Sequence, residues 1–390
     1  MTTLPLERPD AFQPPPAYPA LRASAPTSKV LTPDGAPAWL VTSRASVAVV
    51  LADPRFGISP PGTPAAGMGS LFTDGEPHAR LRRLLAHAFT ARRITALRTG
   101  IADIADRLVA GLKQAGPGSD LLVLVARPLS LAVIGEILGV AEADRQRFGR
   151  WADASLGVLV PDPLDPAAKQ PGAEQAWGEL SGFIAELIAA KRARPGEDLL
   201  SVLVGISDQQ DGRLSDDELL TTTVALLAAG YLTIANALTI GLAHLLPTGL
   251  LGTLVDEQRA ATAVEEMLRK QTGRSGEAMP RWAQVDVELD GQQISAGELV
   301  LARLEAANHD PAEFTDPDRF ELTREPNRHL SFGHGAHHCL GAALARIELA
   351  EALRALAEAL PTLELAGKPE DLHWLGSPLD DGLIAFPVTW

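Results

Sequence analysis

The chain of 390 residues contains a single cysteine, Cys339, so no disulfide can form within it. Basic residues are in deficit: 34 Lys and Arg against 49 Asp and Glu leave a formal charge of −15. Such a chain is a poor match for a polyanion, and nucleic acid is set aside as a partner. The N-terminus lacks the basic segment and apolar core of a secretory signal; residues 1–30 are proline-rich and predict an arm laid on the surface. Internal repeats and linkers are also missing, so one domain spanning residues 1–390 is expected, although length alone would allow two or three. With 46% apolar and 21% charged residues, the composition excludes collagen, a disordered tail and a disulfide scaffold.

What is present is a long run without Asp, Glu, Lys or Arg, between Glu218 and Asp256. A bilayer span needs ~20 apolar residues, so length permits one. However, Thr221, Thr222, Thr223, Thr233, Asn236, Thr239 and His244 interrupt the run, and Pro247 closes its first part. A buried central helix over residues 216–246 is therefore expected, with Ser215 as N-cap and three acids in the first turn. Helical spacing also dominates residues 76–97, 101–138, 176–193, 261–269 and 340–360. Short strands are expected near Trp39 and at the C-terminus, and Val285–Ile294 alternates as a hairpin turning at Asp290-Gly291. The expected class is mainly α, an α+β chain with small β-sheets.

The cysteine lies in Ser331-Phe-Gly-His-Gly-Ala-His-His-Cys339-Leu-Gly-Ala-Ala-Leu-Ala-Arg346. Gly333 and Gly335 allow a tight loop at positive φ. Leu340 onward favours helix, so Cys339 precedes a helix N-terminus, where the dipole lowers a thiol's pKa. A thiolate held this way suits an axial haem ligand. An inert buried cysteine is a second reading. A zinc site from His334, His337, His338 and Cys339 is a third, though the spacing is crowded for one tetrahedral ion.

Phe332-Gly-His-Gly-Ala-His-His-Cys-Leu-Gly341 matches the haem-binding signature of the cytochrome P450 family, and the chain resembles soluble bacterial members of that family along nearly its whole length. Glu266-Met-Leu-Arg269 resembles the family's Glu-x-x-Arg helix, and Pro317-Asp-Arg-Phe320 the segment whose Arg319 joins that pair. The resemblance implies the P450 fold, with haem b between the long central helix and the Cys-ligand loop at residues 331–346. It implies Cys339 as the axial iron ligand, and His78, Arg82, Arg281 and His337 as contacts to the haem propionates. His78 and Arg82 are also spaced to share one helix face. Phe332 would pack by the ligand loop, while Glu266, Arg269 and Arg319 would form a structural charge network.

Ala229-Gly-Tyr-Leu-Thr-Ile-Ala-Asn aligns with the family's oxygen-activating helix. There Ala229 and Gly230 would leave room for dioxygen, and the Thr233 hydroxyl would bond it. The position usually held by an acid is Leu232 and that of the second threonine is Ile234, so the usual proton relay is interrupted. The resemblance places Met68, Leu71, Ala225, Ala228, Met279 and Leu375 along a pocket for a bulky, largely apolar secondary-metabolite intermediate. The implied activity is insertion of one atom of O2. Oxidative coupling or dehydrogenation at the same haem, or a non-catalytic haem-binding accessory role, are the alternatives. No reductase module fits in this length, so electrons would come from NAD(P)H through a reductase and ferredoxin. Residues His78 to Gly100 hold no acid. Arg80, Arg83, Arg92 and Arg93 are the expected docking face for an acidic ferredoxin. A cytoplasmic monomer is expected.

Overall fold

The computed structural model describes residues 2–63, 71, 73–86, 89–159, 172–208, 214–271, 280–374 and 382–390. Among these, the helices are α1 (Ala17–Ser24), α2 (Arg44–Ala52), α3 (Gly75–Ala86), α4 (Ala91–Ala115), α5 (Arg127–Leu138), α6 (Glu142–Leu159), α7 (Ala173–Ala193), α8 (Leu199–Ser207), α9 (Asp216–Leu245), α10 (Glu257–Arg269), α11 (Leu304–Asn308) and α12 (Ala342–Ala359).

The axis of the fold is α9. The Ser215 hydroxyl accepts the Glu218 backbone N–H at 3.1 Å, and the Glu218 carboxylate accepts that of Ser215 at 3.0 Å. This reciprocal box satisfies two donors that a helix start leaves open, and the acids of the first turn suit the dipole there. Beyond it α9 is apolar on nearly every side and packs against α5, α7, α8, α10 and α12. Leu227, Leu238 and Leu242 are fully buried; each such leucine contributes ~1.5–3 kcal/mol. The Thr223 and Thr239 hydroxyls donate to carbonyls four residues back, at 2.7 and 2.9 Å, which is how they enter the core without a penalty. Asp216–Thr248 is the one continuous helical stretch among the described residues long and apolar enough to cross a bilayer, yet 72% of its most apolar window is buried here. It is the core helix that the sequence predicts.

The strands are β1 (Thr2–Thr3), β2 (Thr27–Leu31), β3 (Pro37–Val41), β4 (Phe56–Gly57), β5 (Arg281–Ala283), β6 (Val287–Leu289), β7 (Gln292–Ile294), β8 (Leu299–Ala302), β9 (Glu364–Leu365) and β10 (Val388–Thr389). Six of them form one sheet in the order β1-β2-β3-β8-β5-β4, in which Trp39 pairs with Val300 and Val300 with Arg281. The predicted hairpin is β6–β7. Asp290 and Gly291 take φ of 51° and 73°, as a tight two-residue turn requires. The Asp290 carboxylate accepts the hydroxyls of Thr27 and Ser46 at 2.6 and 2.9 Å, fastening the hairpin to the N-terminal elements.

The first 30 residues are more than a surface arm. They supply β1, α1 and most of β2, and they bury Leu4, Phe12 and Tyr18. Arg8 donates both arms of its guanidinium to buried Glu305 at 2.7 and 2.6 Å. A bidentate pair of this kind is among the stronger polar contacts in a protein.

Candidate active site

The cysteine loop is shaped by glycine. Gly333 and Gly335 have φ of 71° and 74°, and a Cβ on Gly335 would lie 2.6 Å from Ala52 Cα. The loop therefore rests directly on the end of α2, where no other residue fits. Three backbone bonds close it: Gly333 N–H to Leu330 O at 2.7 Å, His338 to Gly335 at 3.1 Å and Cys339 to Phe332 at 2.8 Å. Cys339 is exposed and sits three residues ahead of α12. Its thiol pKa is raised, because protein packed around the sulfur strips away bulk water; the Gly341 N–H, Arg82 and Arg346 oppose that rise. The helix-terminal N–H and both guanidiniums thus act in the direction the sequence expects, against a larger opposing effect of burial.

Beside the loop lies a cluster of arginine and histidine side chains. His78 on α3 is buried and stacks on His337, with centroids 4.1 Å apart. One helical turn on, Arg82 donates to the His338 carbonyl at 2.8 Å. Arg281 on β5 is buried and faces Asp74. The structure thus brings together all four of the predicted propionate contacts. Burial first, then His337 and Arg82, push His78 down to about 4; burial also lowers the pKa of Arg82 and Arg281. Arg82 and Arg281 keep their charge, and His78 at this pKa is a neutral ring that can donate a hydrogen bond, so the set offers two guanidiniums and imidazole N–H groups to which the two carboxylates of haem could bond. The donor set therefore fits haem. Sequence reading missed Asp74, whose carboxylate accepts His337 Nε2 at 3.0 Å and the Ile58 N–H at 2.7 Å. Its only signal is an acid just before α3. Among the described residues no three His, Cys, Asp or Glu side chains converge on a metal-binding point, so the zinc reading of this loop loses its donors.

On α9 the burial pattern breaks at one place. Ala229 and Thr233 are exposed and Gly230 half-exposed, whereas Leu232 and Ile234 are buried. The middle of this core helix is therefore open on one face, where the Thr233 hydroxyl donates to the Ala229 carbonyl at 2.6 Å. Gly230 differs from expectation: a Cβ there would meet Ile134 Cδ1 at 3.0 Å, so its bareness lets α5 approach. Ala225 and Ala228, expected along the pocket, are buried in the core. The first half of α9 is covered by neighbouring helices, which spacing on one helix cannot show. Leu71 is half-buried against the same core, while Met68, Met279 and Leu375 lie outside the described residues.

Glu266 and Arg269 on α10 are wholly buried and paired at 2.7 Å. The third member is not the Arg319 side chain, which is 71% exposed and gives only its carbonyl to Arg269 at 3.2 Å. Arg324 takes that place, 3.2 Å from both Glu266 oxygens, and Asn327 adds a bond at 3.1 Å. On the basic stretch, Arg80 pairs with Glu218 and Arg83 with Glu76. Arg92 and Arg93 are exposed, and no ion pair engages them among the described residues.

Comparison with known proteins agrees with this geometry. A model of the cytochrome P450 family matches residues 49–248 and 260–359. The cytochrome P450 monooxygenase PikC of Streptomyces venezuelae is 41% identical, covering 97% of this chain and 92% of its own. The mycinamicin IV hydroxylase/epoxidase of Micromonospora griseorubida is also 41% identical, over 96% of this chain and 94% of its own. Among solved structures, a putative thioether synthase involved in the tailoring step of griseoviridin superposes with a TM-score of 0.90 at 36% identity, covering 100% of this chain and 99% of that one. The chain belongs to the cytochrome P450 family and has its fold, in which haem lies between the long central helix and the Cys-ligand loop.

Proposed function

We propose that this chain is a haem-thiolate enzyme with Cys339 as the axial ligand, oxidising a bulky, largely apolar small molecule with electrons from a ferredoxin. It is a cytochrome P450 monooxygenase, similar to enzymes that act on antibiotic-type secondary metabolites. The observation that carries the reading is the exposed Cys339 thiol in a loop that glycine alone can form, with Arg82 beside it and buried His78 and Arg281 close by. Bound haem supplies the activation of O2 and the transfer of one of its atoms. The balance is R–H, O2, two electrons and two protons giving R–OH and water. Cys339 contributes a thiolate, whose negative charge Arg82 and Arg346 offset. His78, Arg82, Arg281 and His337 would hold the carboxylate edge of the haem. Thr233 presents a hydroxyl that can turn from the Ala229 carbonyl toward a reacting group. Leu232 can hold no proton, so water or the substrate's own hydroxyls complete the relay.

Oxidative coupling or dehydrogenation by the same centre is a second reading. It draws on Leu232 at the acid position and on the likeness to a putative thioether synthase. Electrons enter on the face marked by Arg92 and Arg93, and the enzyme works as a cytoplasmic monomer.

The test has two stages. The carbon monoxide difference spectrum of the reduced protein is expected to show the long-wavelength Soret band of a thiolate ligand; its absence overturns Cys339 ligation. Turnover with surrogate ferredoxin, reductase and 18O2 then decides the chemistry. One labelled atom in the product means monooxygenation, an oxidised but unlabelled product means coupling or dehydrogenation, and no product across a broad set of ligands leaves the accessory role.

A further inference from the structure

Next to the buried Glu266 stands a second acid, Glu265, which the site described so far does not use. Its carboxylate takes the guanidinium of Arg346 in a fork, 2.6 Å from Nε and 3.0 Å from Nη2. His329 Nε2 approaches the same carboxylate at 3.1 Å, while its Nδ1 accepts the Ser331 N–H at 3.2 Å. An Nδ1 that accepts leaves the ring proton on Nε2, so His329 donates to Glu265. Burial alone would raise the Glu265 pKa, but the bonds from His329 and Arg346 outweigh it and hold it at about 2, so the acid stays ionised.

The held group is well placed. The Arg346 guanidinium lies 4.6 Å from the centre of the Phe332 ring, and the Phe332 carbonyl accepts the Cys339 N–H. Arg346 and Arg82 both favour the ionised form of Cys339 electrostatically. They are secured differently: Arg82 by the loop's own His338 carbonyl, and Arg346, among the described residues, by the Glu265 fork, the face of Phe332 and a weak 3.5 Å contact to Ala342 O. The Arg346 side chain is 40% exposed, and an arginine so placed would sample many rotamers without its carboxylate fork.

We infer that Glu265 is a positioning residue for the thiolate: by clamping Arg346 against Phe332 it fixes a positive charge beside Cys339 and so sets the reduction potential of the haem iron. The inference rests on Cys339 being the axial ligand. A fixed cation next to the ligand withdraws charge from the thiolate and favours the reduced iron. Glu265 reaches both flanks of the cysteine at once, through His329 before the loop and Arg346 after it.

The experiment is a double-mutant cycle in reduction potential on the haem-replete full-length protein, by spectroelectrochemical titration of native, Glu265→Gln, Arg346→Met and double variants. Arg346→Met is expected to lower the potential. In the Arg346→Met background Glu265→Gln removes only a negative charge, and the potential should rise. In the native background the same substitution also releases the guanidinium, so the rise should be smaller or reversed. Equal shifts in the two backgrounds would mean two independent charges and would overturn the inference. Should Glu265→Gln not retain haem, Arg346→Lys decides. A lysine has charge without a planar fork, so a potential near that of Arg346→Met supports positioning, and one near native overturns it. A native protein without the thiolate-type carbon monoxide band would instead fail the ligand assignment, a separate outcome.

Discussion

The two walls that face the expected haem are built from opposite materials. The cysteine side is dense in charge: Arg82, Arg346, Glu265, Asp74, His78 and His337 all have named partners or neighbours in the loop. The oxygen side, along α9, offers one exposed hydroxyl, that of Thr233, flanked by buried Leu232 and Ile234. The contrast teaches where the chain has committed itself. On the function proposed above, ligand charge and carboxylate binding would be fixed by its own side chains, whereas proton delivery would fall to water or to the substrate.

The largest expected effect removes the centre of the charged wall. Cys339→Ala should abolish the thiolate-type carbon monoxide band and O2-derived product, as read by difference spectroscopy and labelled-product analysis. Next, Glu266→Ala leaves Arg269 and Arg324 without their buried carboxylate. It should cost ~3–5 kcal/mol in urea unfolding, whereas Arg319→Ala at an exposed side chain should stay within about 0.5 kcal/mol. Similar losses in both would return Arg319 to the network. Leu232→Glu tests the poverty of the other wall: product per electron pair should rise toward full coupling. An unchanged ratio and solvent isotope effect would take position 232 off the proton path. Arg92→Glu with Arg93→Glu should slow reduction by ferredoxin on the order of tenfold at low salt and little at high salt. Arg83→Glu should do less, because Arg83 is already paired with Glu76. The smallest effect is in acid. Glu265 has its pKa lowered to about 2, so its stabilisation is complete above its ordinary value of 4.5 and fades as pH falls toward 2. The stability gap between native and Glu265→Gln proteins should shrink over that window, as followed by thermal unfolding.

Much of the charged wall was legible in the sequence because it is local. A glycine loop, a lone cysteine and a helix start lie within one short stretch, and His78 and Arg82 share a turn of helix. What stayed hidden depends on distance along the chain. Arg80 is quenched by Glu218, which is 138 residues away. Arg324 displaces Arg319 because the loop's path, not its composition, decides which guanidinium turns inward. The family resemblance put Ala225 along the pocket, but only the packing of neighbouring helices shows that it is covered. The departure at Leu232 was legible as a residue; that it is buried beside an open Thr233 was not.

The pairing of β3 with β8 joins Val41 to Ala302, and Arg8 closes on Glu305, 297 residues later. At typical rates of synthesis, ~5–20 residues per second, the N-terminal strands wait on the order of tens of seconds for their partners. During that interval β2 and β3 can pair with each other, but the far side of β3 is an open edge that another chain could add to. Cys339 lies later still in the chain, so the glycine loop can seat on α2 only after α3 to α11 have been made.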